Sequence, residues 1–171
     1  MDKKVLMKKV LNKTLLAVIF GVLLGLIVKF FIVDLLRING TSMEPTLFDG
    51  DLVLENKLAY GFAVPFGDKL FFSWNRPKVG EIVIYLYQNR LIVKRCVAVQ
   101  GMALEYSAVS GYTVSVGEKT YPLTEEQYHN LYSISFVPDG YIMAIGDNVL
   151  TSLDSRSYGF IPIKNVLGRI Q

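Results

Sequence analysis

Ser42 lies in the segment Gly40-Thr41-Ser42-Met43-Glu44-Pro45-Thr46-Leu47, and Lys94 interrupts the strand-like run Leu91-Ile92-Val93-Lys94-Arg95-Cys96-Val97. A lysine among apolar residues loses hydration, which lowers its pKa and turns it into a base at ordinary pH. Serine beside a neutral lysine is one way to build a nucleophile without histidine. With a strand period of two, Ile92, Lys94, Cys96 and Ala98 share one face, and Leu91, Val93, Arg95 and Val97 share the other. A neutral amine on that face could take the serine proton and later return it to a leaving amine. A lysine on the solvated face of an edge strand would have the same pattern, so Lys94 by itself leaves both readings open.

A third polar segment runs Gly146-Asp147-Asn148-Val149-Leu150-Thr151-Ser152-Leu153-Asp154-Ser155-Arg156, directly after the apolar run Tyr141–Ile145. Loops carried on a sheet often supply site residues. Asp154 and Arg156 suit an ion pair that braces the loop, and the Ser152 hydroxyl could accept a hydrogen bond from the lysine amine. A plain surface turn has the same composition.

Other chemistries find less support. His129 is the only histidine, so a Ser-His-Asp triad must use it, and it sits in the polar segment 125–130, which reads as a solvated helical turn. Glu125 and Glu126 beside it lack further ligands for a metal, and no cysteine pair, phosphate loop or dinucleotide fingerprint is present. Neither metal nor cofactor is expected. The lone Cys96 cannot form an internal disulfide and reads as a packed small hydrophobe.

What positions these groups follows from composition. At 171 residues the chain has room for an anchor and one domain with a real core. Hydrophobic residues make up 51 %, with the excess near the N-terminus, and the mean hydropathy of +0.36 is high for a soluble protein. Lys3, Lys4, Lys8, Lys9 and Lys13 face only Asp2 in the first 13 residues, whereas the rest carries 13 basic and 14 acidic residues. The basic balance therefore belongs to a tail rather than to a domain, which argues against a nucleic-acid partner.

Residues 14–28 are uncharged and the apolar character resumes through Val33 after Lys29. As a helix, residues 14–33 span about 30 Å, the thickness of a bilayer core. Lys29 can snorkel to the interface, and the five lysines should stay cytoplasmic, placing the remainder outside the cell membrane as a single-pass protein. A cleaved leader would need small residues three apart after the apolar core, and residues 26–38 contain none, which favours an uncleaved anchor. The expected organisation is a tail at 1–13, a transmembrane anchor at 14–33 and an extracytoplasmic β domain at 34–171. Strands are expected at 51–54, 81–87, 90–97, 112–116 and Tyr141–Ile145, with a tight turn at Gln88-Asn89. Thr124 and Gln127 form a helix-start signature. The aromatic stretch Leu70-Phe71-Phe72-Ser73-Trp74 could touch the lipid surface or pack in the core.

In this order and spacing, the segments resemble the bacterial type I signal peptidases, membrane-anchored Ser-Lys proteases that remove signal peptides from exported proteins. The resemblance rests on the basic tail and anchor, Ser42-Met43-Glu44-Pro45-Thr46-Leu47, Gly50-Asp51-Leu52-Val53, Gly80-Glu81-Ile82-Val83 and Lys94-Arg95. It continues through Gly146-Asp147-Asn148, Ser152-Leu153-Asp154-Ser155-Arg156 and Gly159-Phe160-Ile161-Pro162, and covers almost the whole chain. The single short anchor and compact domain look like the Gram-positive branch.

The resemblance implies a mainly β fold: one N-terminal transmembrane helix and a compact antiparallel domain of the signal-peptidase type. It implies Ser42 as nucleophile, Lys94 as general base, Ser152 as the group that positions the amine, and Asp154 with Arg156 as a structural pair. The Ser42 N–H would contribute to the oxyanion hole. Ile38, Met43, Leu47, Ile92 and Val93 would line a pocket for small side chains at positions −1 and −3 of the substrate. Its partners would be the signal peptides of secreted preproteins and the lipid bilayer; nothing in the sequence sets an oligomeric state.

The chain departs from the family where some members carry a hydroxyl residue, here Gly40, so the second oxyanion donor is unassigned. It also has Gln100-Gly101-Met102 in place of Pro-Gly-Asp, and Val149-Leu150 in place of Arg-Asp. Three rivals follow: a self-cleaving repressor-type Ser-Lys protein, a non-catalytic or narrowly specialised helper in surface-protein or pilus assembly, and an anchored β domain of unknown binding role. The lysine-tailed anchor opposes the first, and the presence of both Ser42 and Lys94 opposes the second.

Overall fold

A single long helix, α1 (Lys3–Phe31), leads into the sheet. The computed structural model describes residues 3–64 and 67–171, with the backbone alone for 3–6 and 8–10, so Asp2 and the side chains of Lys3, Lys4, Lys8 and Lys9 lie outside it. Within α1, Leu11–Phe31 has a mean hydropathy of 2.5 and contains no buried residue. A helix apolar all round and unburied is suited to lipid rather than to water. The helix stops at Phe31, two residues short of the expected span, because Val33 already pairs with Asn56 in the sheet. Lys57 fixes this junction: its Nζ donates to the Lys29 carbonyl at 3.1 Å and to Asp34 Oδ2 at 2.9 Å. A cation is favourable at the negative end of a helix.

The strands are β1 (Val33–Arg37), β2 (Leu52–Asn56), β3 (Gly61–Ala63), β4 (Leu70–Ser73), β5 (Ile82–Tyr87) and β6 (Arg90–Val99). Next come β7 (Glu105–Ser107), β8 (Thr113–Val116), β9 (Lys119–Pro122), β10 (Tyr141–Ile145), β11 (Ile161–Pro162) and β12 (Val166–Ile170). Seven of them form an antiparallel sheet in the order β1-β2-β12-β5-β6-β10-β11, with β3-β4 and β7-β8-β9 as smaller sheets. The mainly β reading therefore holds, and each of the five expected strands is present.

Gln88 and Asn89 join β5 to β6 with φ of 48° and 59°. That pair of left-handed residues matches the right-handed twist of a hairpin. Alternation puts Val83, Tyr85 and Cys96 in one core cluster, and Ile84 with Ile38, Val53 and Ile170 in another. The register slips where Met143 faces Ala98 but Ala144 faces Cys96, leaving Val97 as an extra residue. Ala98 consequently packs with Val97, Leu104 and Val114 rather than with Cys96, which corrects the simple alternation expected for this strand.

Helix α2 (Glu125–Leu131) carries the expected capping box: Gln127 N donates to Thr124 Oγ1 at 3.2 Å, and Thr124 N to Gln127 Oε1 at 2.9 Å. In the β3–β4 hairpin, only Leu70 of the aromatic stretch is buried; Phe71, Phe72 and Trp74 are 81 %, 63 % and 53 % exposed. Phe62, the cross-strand partner of Phe72, stacks on Phe31 at the end of α1 with ring centroids 5.4 Å apart.

Candidate active site

Strand β6 buries Lys94, 5 % exposed, opposite Val83 of β5. Ser42 comes from the loop after β1, which is pinned at both ends. Ile38 N donates to Asp51 O at 2.8 Å, Gly50 N to Ile38 O at 2.9 Å, and Gly40 N to Asp49 Oδ1 at 2.7 Å. Gly40 has φ +92°, a left-handed conformation that glycine adopts without a Cβ penalty, so a hydroxyl residue at this position would be strained. Past Ser42 the chain tightens into a turn in which Thr46 N and Leu47 N both donate to Met43 O at 2.9 Å.

These elements bring Lys94 Nζ and Ser42 Oγ to 2.6 Å, with the amine donating. Burial pushes the Lys94 pKa below its ordinary value, and the charges of Asp154 and Asp147 offset only part of that. Once the amine is neutral the same contact runs the other way, and the serine hydroxyl donates to the nitrogen lone pair.

The loop after β10 closes over the segment around Ser42. Asn148 N donates to Ser42 O at 3.1 Å, and Asn148 Nδ2 to Thr41 O at 3.2 Å. A Cβ on Gly146 would overlap both Ser152 Oγ and the Ser42 carbonyl, so only glycine allows this approach. Among the described residues Ser152 Oγ is buried without a hydrogen-bond partner, and the expected bond to Lys94 is not made. It stands against Gly146, close to the Ser42 carbonyl.

Asp154 and Arg156 are 0 % and 3 % exposed and pair through two bonds, Nε to Oδ1 and Nη2 to Oδ2, each 2.9 Å. Asp154 Oδ2 also accepts from Gly146 N at 3.1 Å, while Arg156 donates to Pro122 O at 3.0 Å and Val149 O at 2.7 Å. The pair therefore ties the site loop to the end of β9. Asp154 also caps the short helix α3 (Ser155–Tyr158).

A second arginine brace was not anticipated. Arg95 grips Asp147 through Nε–Oδ1 at 2.7 Å and Nη2–Oδ2 at 2.6 Å, and reaches Gly80 O at 2.8 Å and Thr46 Oγ1 at 3.2 Å. Burial pushes the Asp147 carboxyl up, but hydrogen bonds from Arg95 and Thr46 more than offset it and hold the group below its usual range. The opposite charges were visible in Lys94-Arg95 and Gly146-Asp147, but only the facing of Ile145 and Arg95 across β10 and β6 brings them together.

A cleft of about 400 Å³ opens over the dyad. Of the five expected pocket residues, Ile38, Met43, Ile92 and Val93 line it. Leu47 does not; it packs against the cluster of Ile38, Val53 and Ile84, because the turn after Ser42 carries it inward. Tyr87 and Tyr158, absent from the sequence reading, complete the wall, stacked with centroids 3.9 Å apart. Strand β10 pairs with β6 only from Arg95 onward, so residues 90–94 pair with β5 alone among the described residues, and their other backbone edge is open beside the cleft. His129 lies on α2, exposed, with Nε2 3.9 Å from Glu125 Oε1, and takes no part in the site. Among the described residues, no group of three or more His, Cys, Asp or Glu is arranged to hold a metal ion.

A buried Ser-Lys pair on an antiparallel sheet defines a class, and the comparison with known families agrees: the profile of signal peptidase, peptidase S26, matches residues 11–171. The chain belongs to this family and is a hydrolase of the serine endopeptidase type. Over 161 residues it is 30 % identical to a probable signal peptidase I-1 of Synechocystis, covering 86 % of this chain and 74 % of that one. It is 32 % identical over 133 residues to the chloroplastic thylakoidal processing peptidase 1 of Arabidopsis thaliana, covering 77 % of this chain but 39 % of the relative. A signal peptidase I of Pseudomonas fluorescens is 27 % identical over 206 residues, covering 93 % and 72 %. A solved signal peptidase I from Enterococcus faecalis aligns with a TM-score of 0.41 and 20 % identity, over 58 % of this chain and all of that one.

Proposed function

We propose that this protein is a membrane-anchored endopeptidase that removes signal peptides from exported preproteins after small residues, with Ser42 as nucleophile and Lys94 as general base. The observation that carries the reading is the 2.6 Å contact between Lys94 Nζ and Ser42 Oγ, at a lysine whose burial favours the neutral amine. Lys94 takes the hydroxyl proton as Ser42 Oγ attacks the scissile carbonyl carbon. The Ser42 N–H, which makes no hydrogen bond among the described residues, supplies one donor to the oxyanion. Collapse of the tetrahedral intermediate breaks the C–N bond, and Lys94 gives its proton to the departing amine. Lys94 then takes a proton from the water that attacks the ester, and Ser42 leaves with that proton returned.

The roles of the remaining groups follow from their contacts. Asp154 with Arg156, and Arg95 with Asp147, hold the loop that fixes Ser42 O and Gly146. Ser152, whose hydroxyl is buried with no partner among the described residues, would orient the Lys94 amine. The substrate would extend along the open edge of residues 90–94, with small side chains between Ile38, Met43, Ile92 and Val93. Residues 14–31 would be the single-pass anchor, with the lysine tail cytoplasmic and the β domain outside.

The test is cleavage of an exported precursor with alanine at −1 and −3, by purified protein in lipid. Wild type should cut at the alanine, and Ser42→Ala and Lys94→Met should not. Cleavage surviving in either variant would remove that residue from the mechanism. A folded wild type inert on several precursors would instead favour the assembly-helper alternative.

A further inference from the structure

A second cavity of about 610 Å³ lies beside the end of the anchor helix, and it shares two wall residues, Leu36 and Leu91, with the cleft over the dyad. Its far wall is the helix itself, through Leu26 and Phe30. We propose that this cavity receives the substrate segment upstream of the residues in the catalytic cleft, so that the anchor helix is part of the substrate-binding surface and not only a tether. The inference rests on the signal-peptide reading and adds a binding site for the apolar part of the substrate.

The distances along the chain support it. Leu91 precedes Lys94 by three residues in β6, about 10 Å along a strand at ~3.3 Å per residue. A substrate extended on the open edge of residues 90–94, with its scissile carbonyl at Ser42, therefore passes Leu91 about three or four residues upstream. Signal peptides carry their apolar region a few residues before a small-residue cleavage site. The end of that region then falls where Leu36 and Leu91 give way to Leu26 and Phe30. The two cavities adjoin at Leu36 and Leu91, between the end of α1 and Ser42.

The floor of the cavity favours a peptide over a lipid tail. Lys57 and Asp34 pair there at 2.9 Å, and Glu55 is buried beside them with its pKa raised by burial. A substrate helix that unwinds at this point exposes its last carbonyls, which need donors. The Lys57 ammonium already caps one such carbonyl, that of Lys29, at 3.1 Å. An acyl chain has no group that uses a charged floor.

Two measurements on the full chain, reconstituted in phosphatidylcholine–phosphatidylglycerol vesicles, test the proposal. First, a photo-crosslinking amino acid at Leu26, in the Ser42→Ala background, should label a bound precursor within its apolar segment. Labelling of lipid alone overturns the proposal. Second, Leu26→Trp fills the cavity while keeping the helix apolar, and Leu16→Trp, exposed elsewhere on α1, serves as its control. Leu26→Trp should lower kcat/KM for a full precursor roughly tenfold, mainly through KM, and leave unchanged the cleavage of a short peptide spanning only the scissile bond. Leu16→Trp should change neither. An equal fall on both substrates, or no fall on the precursor, sinks the inference. Failure of wild type to cut even the short peptide would instead count against the signal-peptidase reading itself.

Discussion

Replacing Lys94 by methionine should abolish cleavage and make the protein more stable at neutral pH. Lys94 is 5 % exposed, forms no ion pair among the described residues, and has Ser42 Oγ as its side-chain hydrogen-bond partner. Exchanging the lone buried amine for an apolar side chain of similar size removes a desolvation penalty on the order of a few kcal/mol, and the lost hydrogen bond takes back about 1 kcal/mol. For a chain of this length each 1 kcal/mol moves Tm by about 2–4 °C, so the variant should melt several degrees higher at pH 7. The folded protein lowers the Lys94 pKa, so below that pKa it must bind a proton it holds less tightly than the unfolded chain does. The destabilisation is complete there, recedes as pH rises toward the unfolded lysine value of about 10.4, and vanishes above it. Thermal melts of both proteins in the same detergent across this range should show the advantage of Lys94→Met shrinking with pH and finally reversing by the missing hydrogen bond. Cleavage should fall at least about 100-fold, the lower range for loss of a general base. A variant less stable than wild type by the same amount at every pH would show that Lys94 carries no desolvation cost, and the basis for its role as a base would be gone.

Four further outcomes are expected. Asp154→Asn leaves Arg156 buried against a neutral partner and should cost about 3–5 kcal/mol, read as a large drop in Tm. Gly146→Ala forces a Cβ against Ser152 and the Ser42 carbonyl; overpacking of this kind costs about 1–3 kcal/mol, and kcat should fall further than that stability loss explains. Arg95→Gln strips Asp147 of its guanidinium and exposes Lys94 to a barer carboxylate, so the midpoint of kcat/KM against pH should move upward. Trp74, the only tryptophan, is half exposed on the hairpin stacked against the end of α1, so reconstitution should blue-shift its emission and make it accessible to lipid-borne quenchers; emission that stays red and is quenched only from water would remove the hairpin from the membrane surface.

Much of the site was legible because it is written in residue types that local structure cannot otherwise justify. A lysine inside Leu91–Val97, a serine in a turn after an anchor, and Asp-Ser-Arg after a polar loop each stand out from their surroundings. The Gln88-Asn89 turn and the Thr124 cap are equally local, and both are present. What escaped depends on contacts between distant segments. The C-terminal strand β12 lies between β2 and β5, an order fixed by which edges remain open after the hairpins form. The Arg95–Asp147 brace needs the β6–β10 register. The inward turn of Leu47 and the bulge that moves Ala98 are one-residue events that periodicity does not resolve. Val33 reads as a continuation of the apolar run, yet its partner Asn56 is 23 residues away.

Lys94 lies near two acids, and unpaired carboxylates would hold its proton and defeat it as a base. Both acids raise its pKa, yet burial dominates and the net shift is downward. Burial is the largest influence, and both carboxylates are themselves paired, Asp147 with Arg95 and Asp154 with Arg156. The same two arginines fix the loop that supplies Gly146 and Asn148 to the Ser42 carbonyl. The braces therefore fix the geometry of the site and occupy the two carboxylates that act on Lys94. A substitution that loosens either brace should disturb both at once, which is why the pH midpoint and the rate, measured together, discriminate better than either alone.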